Sequence, residues 1–353
     1  MPVGTPLDPE KGRCTMKMTV MLFLLLFCAT IAGAEAPGYH VLKRLHLGGE
    51  GGWDYPTIDG PNRRLYLSRG NYVQVVDLST DKVVGEIPDT PGVHGIALAP
   101  DLHRGFISNG KSNMVSIFDL KTLKVTGQVK TGDNPDAIVY DPATKRLFIG
   151  NGRSHDATII DAVTGKVLRT IPLGGKPEFA VADGAGRFFV NIEDTAEVVT
   201  IDSRTLTVIR RSALAPCEEP TGLALDQKHH RIFSGCRNRI MTVLDTESGR
   251  LLVTLPIGGG VDGAGYDSHR KLAFSSNGDG TLTVIRETPA GLFAVAETVV
   301  TLPGARTMAL DPVTHNLYLP TALFESAPAS GRSGEKMRPF MIRDSFELLV
   351  IGK

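Results

Sequence analysis

The sequence predicts an all-β chain: a seven-bladed β-propeller of four-stranded antiparallel blades, the last blade closed by the N-terminal strand. Three observations carry this. The stretch from Pro135 to Pro177 holds four short apolar runs, at residues 137–140, 146–149, 158–160 and 167–171. Asp-Pro, Asn-Gly, Thr-Gly and Gly-Gly separate them, so they read as strands joined by tight turns rather than as helices. The unit then recurs. Its first strand ends at Ile58-Asp59, Leu98-Ala99, Tyr140-Asp141, Ala182-Asp183, Leu225-Asp226, Tyr266-Asp267 and Leu310-Asp311, in steps of 40 to 44 residues. Seven such meanders suit radial blades better than a sandwich. Finally, the seventh unit has strands near Thr307–Asp311, Asn316–Leu319 and Phe346–Ile351, then stops at Lys353. The strand it lacks stands at the other end, in His40–Leu47, which leaves no unpaired edge at the seam.

Taken in order, residues 1–34 read as a signal peptide, with 1–15 as an upstream extension. Met16-Lys17-Met18 precedes the apolar run Val20–Ile31, and Ala32-Gly33-Ala34 supplies the A-x-A end. A membrane span is the alternative, but the run is short and no basic stop follows. Bulky Phe27 argues against lipid modification of Cys28. Residues 38–353 then form a single propeller domain. The second strands read RRLYLS, RGFISN, KRLFIG, GRFFVN, HRIFSG, RKLAFSS and HNLYLP. The third strands read VQVVDLST, VSIFDLKT, ATIIDAVT, EVVTIDSRT, MTVLDTES and TLTVIRET.

These strands, with IDAVTGKVLRTIPLGGKP the nearest match, resemble the YVTN β-propeller repeat proteins. That family is exported in bacteria and falls among the quinoprotein-like and WD-like seven-bladed folds. The resemblance covers residues 40–353, although no second strand spells Tyr-Val-Thr-Asn. It implies the architecture and a periplasmic or secreted location. It implies no activity, because such folds host many.

The chain carries 38 basic and 38 acidic residues, so nucleic acid is not an expected partner. No G-x-S-x-G, P-loop, H-E-x-x-H or C-x-x-C is present. Gly258-Gly259-Gly260 joins two strands and reads as a blade-to-blade turn. The chemistry is sought instead at the channel mouth, where the first strands of a propeller begin. The residue five before each aligned strand end is Asp54, His94, Asp136, Glu178, Thr221, Asp262 and Arg306. This ring admits two readings: a polar ligand site, or solvated polar groups that need no ligand. In the first reading Asp136 and Glu178 are the candidate metal ligands for a divalent cation, calcium or zinc. His94 beside a carboxylate is a candidate for acid–base work. Arg306 either clamps a ligand carboxylate or neutralises its neighbours.

The turns between second and third strands, with Arg69, Asn109, Asn151, Glu193, Arg237 and Asn277, are placed on the same face. In the seventh unit this connection is the long segment 321–345, rich in Ser, Gly, Ala and Pro, with Phe340 and Met341 near its end. It is either a surface loop or a lid over the mouth. Trp53 either packs the entry of the first blade or stacks on a ligand. Cys217 and Cys236 fall on neighbouring strands of the fifth blade at the mouth, so an exported chain permits their disulfide. His103, His229, His230, His269 and His315 fall mostly at turns on the opposite face.

The function expected is an exported binding or interaction module, with a small-molecule or protein partner at the mouth face. The chain is expected to be a monomer with no membrane span once the signal is removed. The alternative is a metal-assisted hydrolase of lactonase type. A haem- or quinone-linked oxidoreductase lacks its attachment and tryptophan signatures.

Overall fold

The computed structural model describes residues 36–288, 291–325 and 341–353, with Gly4 in isolation. The segment 1–34, expected to be a signal peptide, and the loop residues 326–340, Phe340 among them, therefore lie outside the described residues, Gly4 apart. The described chain forms seven four-stranded antiparallel sheets. Blade 1 is Pro56–Asp59, Arg64–Arg69, Tyr72–Asp77 and Lys82–Ile87. Blades 2 to 6 follow the same meander, opening on Val93–Ala99, Pro135–Asp141, Pro177–Ala182, Pro220–Asp226 and Val261–Asp267.

Blade 7 runs inward from the rim as His40–His46, Glu347–Gly352, Leu317–Thr321 and Ala309–Leu310. The N-terminal strand pairs from His40 opposite Gly352 to His46 opposite Glu347. The expected closure is present. The inner strand is the one element much shorter than expected, two residues where five were anticipated.

The core lies between blades, not within them. Seven apolar clusters occupy the seven interfaces. One joins Phe148, Ile159 and Ile171 of blade 3 to Phe188, Val190 and Ile201 of blade 4. The middle strands are consequently buried on both faces, as in Arg146–Asn151 and Asp156–Asp161, while the outer strand Val167–Pro172 is largely exposed. This is why the second and third strands read as continuous apolar runs instead of alternating.

Three polar positions explain the rest of the repeat. In every blade but the second an Asp at the end of the inner strand is buried and staples the turn after it. Asp141 accepts from the Ala143 N–H and the Thr144 and Ser203 hydroxyls, and Asp311 accepts from the Val313 N–H and from Arg63. The basic residue opening the second strand reaches the next blade. Arg64 donates to Leu120 O, Arg104 to Ala162 O and Arg146 to Arg204 O, and Arg231 pairs with Glu287. A third Asp closes the turn after each of strands three in blades 1 to 5. Asp77, Asp119, Asp161 and Asp202 each accept two backbone N–H bonds, and Asp245 accepts from Ser248.

Candidate functional site at the axial mouth

Five of the seven ring residues are placed by a kink in their own inner strand. The register of the inner strand against its neighbour slips between Val93 and Ile96, Pro135 and Ile138, Pro177 and Ala180, Pro220 and Leu223, and Val261 and Gly263. A bulge re-aims the side chain it contains, and here it holds His94, Asp136, Glu178, Thr221 and Asp262. Hydroxyls from adjoining blades pin the backbone. Ser108 donates to Asp136 O at 2.5 Å, Ser276 to Arg306 O at 2.5 Å and Thr307 to Asp54 O at 3.0 Å.

All seven ring residues line one cavity of about 710 Å³. Lys176, Glu193, Arg237, Asp279, the linker glycines Gly259, Gly260 and Gly304, and the turn glycine Gly278 also line its wall. Tyr55 also faces it, and its ring meets Phe179 edge-on with centroids 4.7 Å apart. Tyr55 enters blade 1 and Phe179 belongs to blade 4. Those blades are not neighbours, so the contact spans the axis and floors the cavity. The mouth is a cup.

Six carboxylates face three permanent cations and one imidazole in this cup. Most are matched. Asp54 Oδ2 lies 2.6 Å from His94 Nδ1, and Arg306 Nε lies 2.7 Å from Asp262 Oδ2. Lys176 pairs with Glu193, and with Glu178 at 3.0 Å. Arg237 pairs with Glu219. Thr221 is committed to backbone, donating to Val261 O at 2.8 Å. The exception is Asp136, only 9% exposed. Its Oδ1 accepts no hydrogen bond, and its ion-pair contact is the His94 ring at 3.8 Å.

Protonation follows from this crowding. Burial opposes a charged His94, but the Asp54 hydrogen bond and the charges of Asp136, Asp54 and Glu178 raise it to about 9. Burial pushes Asp136 well above the usual carboxylate range. His94 opposes the rise, and Asp54, Glu178 and Asp262 add to it. Burial carries Glu178 up to about 7 against the pull of Lys176. It carries Asp262 up to about 6, with Asp54 adding and Arg306 opposing.

The expected metal pair is divided. Asp136 groups with Asp54 and His94, whose donor atoms, one from each side chain, lie within 4.8 Å of one another, whereas Glu178 is held by Lys176. Four turn residues placed on the mouth face prove to be buried braces. Asn109, Asn151 and Asn277 donate within their own blades to Ser116, to Asp156 and Thr158, and to Thr281 and Thr283. Arg69 is fully buried, 3.6 Å over the Phe346 ring, and donates to Gly48 O and Gln74. They lie one position too early in the chain to leave the strand. Glu193 and Arg237 do line the cup.

Trp53 packs, between Phe324 and Phe346 with centroids 5.9 and 5.5 Å away. The long loop springs from that point, where Phe324 bridges Met341. Cys217 and Cys236 are bonded with Cα atoms 5.6 Å apart, inside the interface of blades 4 and 5. On the opposite face, His229 contacts Asp226 at 2.8 Å and His315 contacts Asp267 at 3.0 Å. Lys176 was missed; only its place two residues before Glu178 marks it.

No protein-family model matches the chain, and no curated protein matches it. Structural matches to solved proteins are numerous. One is hydrazine synthase of Kuenenia stuttgartiensis, 17% identical with a TM-score of 0.68, covering 78% of this chain and 94% of that one. At that identity the likeness shows the propeller fold alone.

Proposed function

We propose that this chain is an exported binding propeller of YVTN type whose axial cup takes a small polar partner bearing positive charge. The propeller fold suits a binding or interaction module in general. The single observation that supports the finer reading is Asp136, buried in a cup already rich in carboxylates and left without a hydrogen bond on Oδ1. A buried carboxylate in that state is costly until it gains a proton or a cation.

The test is a thermal-shift panel on the mature, untagged chain. It includes ammonium compounds, zwitterions and calcium, with neutral and anionic analogues as controls. Stabilisation by positively charged probes that disappears in Asp136→Asn supports the reading. A panel in which none acts, or in which Asp136→Asn leaves the response intact, removes it.

A metal-assisted hydrolase is the second reading, favoured by the convergence of Asp54, His94 and Asp136. Turnover of a lactone panel that is lost in Asp136→Asn is its signature. Export to the periplasm or medium is checked by fractionation and by N-terminal sequencing of the mature chain. The monomeric state is checked by light scattering. Among the described residues no helix is long and apolar enough to cross a membrane.

A further inference from the structure

We propose that Asp54, His94 and Asp136 form a binding site for one zinc-class divalent cation, held on one side of the axial cup. This rests on the reading of the cup as a site for positive charge and names the species. The three residues belong to consecutive blades, 1 to 3, at equivalent entry positions. Their donor atoms lie within 4.8 Å of one another. Zinc bound to nitrogen and oxygen at its usual distances sets its ligand atoms about 3.3 Å apart. Here Asp54 Oδ2 and His94 Nδ1 are 2.6 Å apart, and His94 Nδ1 and Asp136 Oδ1 are 3.8 Å apart. The first pair must open by about 0.7 Å and the second close by about 0.5 Å to reach that spacing, shifts within the reach of side-chain rotation.

A second feature points to a ligand independently of the cluster. Asp136 faces the cavity with its side chain only 13% exposed, and its Oδ1 is buried without a hydrogen-bond donor. The oxygen that lacks a partner is the one nearest the imidazole. The neighbouring cations are engaged elsewhere: Arg306 holds Asp262, and Lys176 holds Glu193 and Glu178.

The donor set also selects the metal. Calcium takes six to eight oxygens, whereas this set is two carboxylates and an imidazole nitrogen, which suits zinc and its borderline neighbours. Three protein ligands leave a coordination position open towards the cup. The cup wall beyond the triad carries Arg306 and Lys176.

The experiment is zinc titration of the chelator-stripped, untagged, disulfide-intact chain by calorimetry, with metal content counted after dialysis. The expected result is one zinc per chain that a tenfold excess of calcium does not displace. Asp136→Asn and His94→Gln each weaken binding at least about tenfold, since losing even an outer partner of a metal ligand costs that much. Circular dichroism and melting curves of each variant establish that it is folded. No stoichiometric zinc, calcium preferred over zinc, or wild-type affinity in the folded Asp136→Asn chain each overturn the proposal. Ammonium probes acting in the presence of chelator, with zinc failing to bind, sink the metal and leave the broader reading of the cup standing. Zinc binding with every organic probe inert establishes the metal.

Discussion

Glu178→Gln is the substitution whose effect on stability the cup geometry fixes most fully. Glu178 is buried in the wall of the cup, and its carboxyl is carried from 4.5 to about 7, chiefly by burial. The native chain therefore holds this proton more tightly than the unfolded chain. Between those two values the native state carries more protons, so stability falls as pH rises through that window. At about 1.4 kcal/mol for each step of one in pH, the loss is on the order of 3 kcal/mol by pH 8. Glutamine keeps the shape and carries no charge at any pH, while Lys176 retains Glu193. The assay is urea unfolding at pH 4, 5.5, 7 and 8 in chelator, with the disulfide intact. Wild type and variant should match near pH 4, and the variant should gain on the order of 3 kcal/mol by pH 8. Parallel pH profiles, or a variant less stable than wild type at pH 8, refute the reasoning: the ion pair with Lys176 would then outweigh burial.

Three further outcomes follow from the same geometry. His94 should titrate near 9 by NMR, and in Asp54→Asn its value should fall. The stability it contributes is complete below 6.5 and disappears as pH rises through about 9, so the metal-free wild type should lose stability across that range and Asp54→Asn should lose less. Replacing Cys217 and Cys236 together by serine opens a loop of 19 residues and should cost about 3 kcal/mol in urea unfolding; an unchanged midpoint contradicts this. Deleting the chain through His46 leaves Glu347–Gly352 as an open edge. Light scattering should then show self-association, reversed by a peptide of residues 38–47, and a truncated chain that stays monomeric with its melting point intact counts against circular closure.

The architecture was legible because a propeller repeats its constraints. The Asp at the end of six of the seven inner strands recurs because the turn after it needs a buried acceptor, and the basic residue opening the second strand in blades 1, 2, 3 and 5 recurs because it bridges to the next blade. The divided seventh blade was legible for the same reason, as one end lacks the strand that the other supplies. The ring positions could be counted off from that Asp, and all seven line the cup.

What the ring does electrostatically was not legible. Asp54, His94 and Asp136 stand some forty residues apart and meet only because blades 1 to 3 are adjacent. Lys176 claims Glu178 from a neighbouring linker position, which no periodicity marks. The buried asparagines looked like turn residues because Asn-Gly is good turn chemistry. In the structure each Asn ends its strand and braces the next, as Asn151 does to Thr158. The floor made by Tyr55 and Phe179 depends on two blades facing each other across the axis, a relation absent from any local stretch of sequence.

The most direct test of the cup as the binding centre is a crystal structure of residues 36–353 with whichever positively charged probe gives the largest thermal shift. The account predicts that probe inside the axial cup, within bonding distance of Asp136 Oδ1 and above the Tyr55–Phe179 floor. A probe seated on the outer rim or the opposite face, with only solvent beside Asp136, contradicts it.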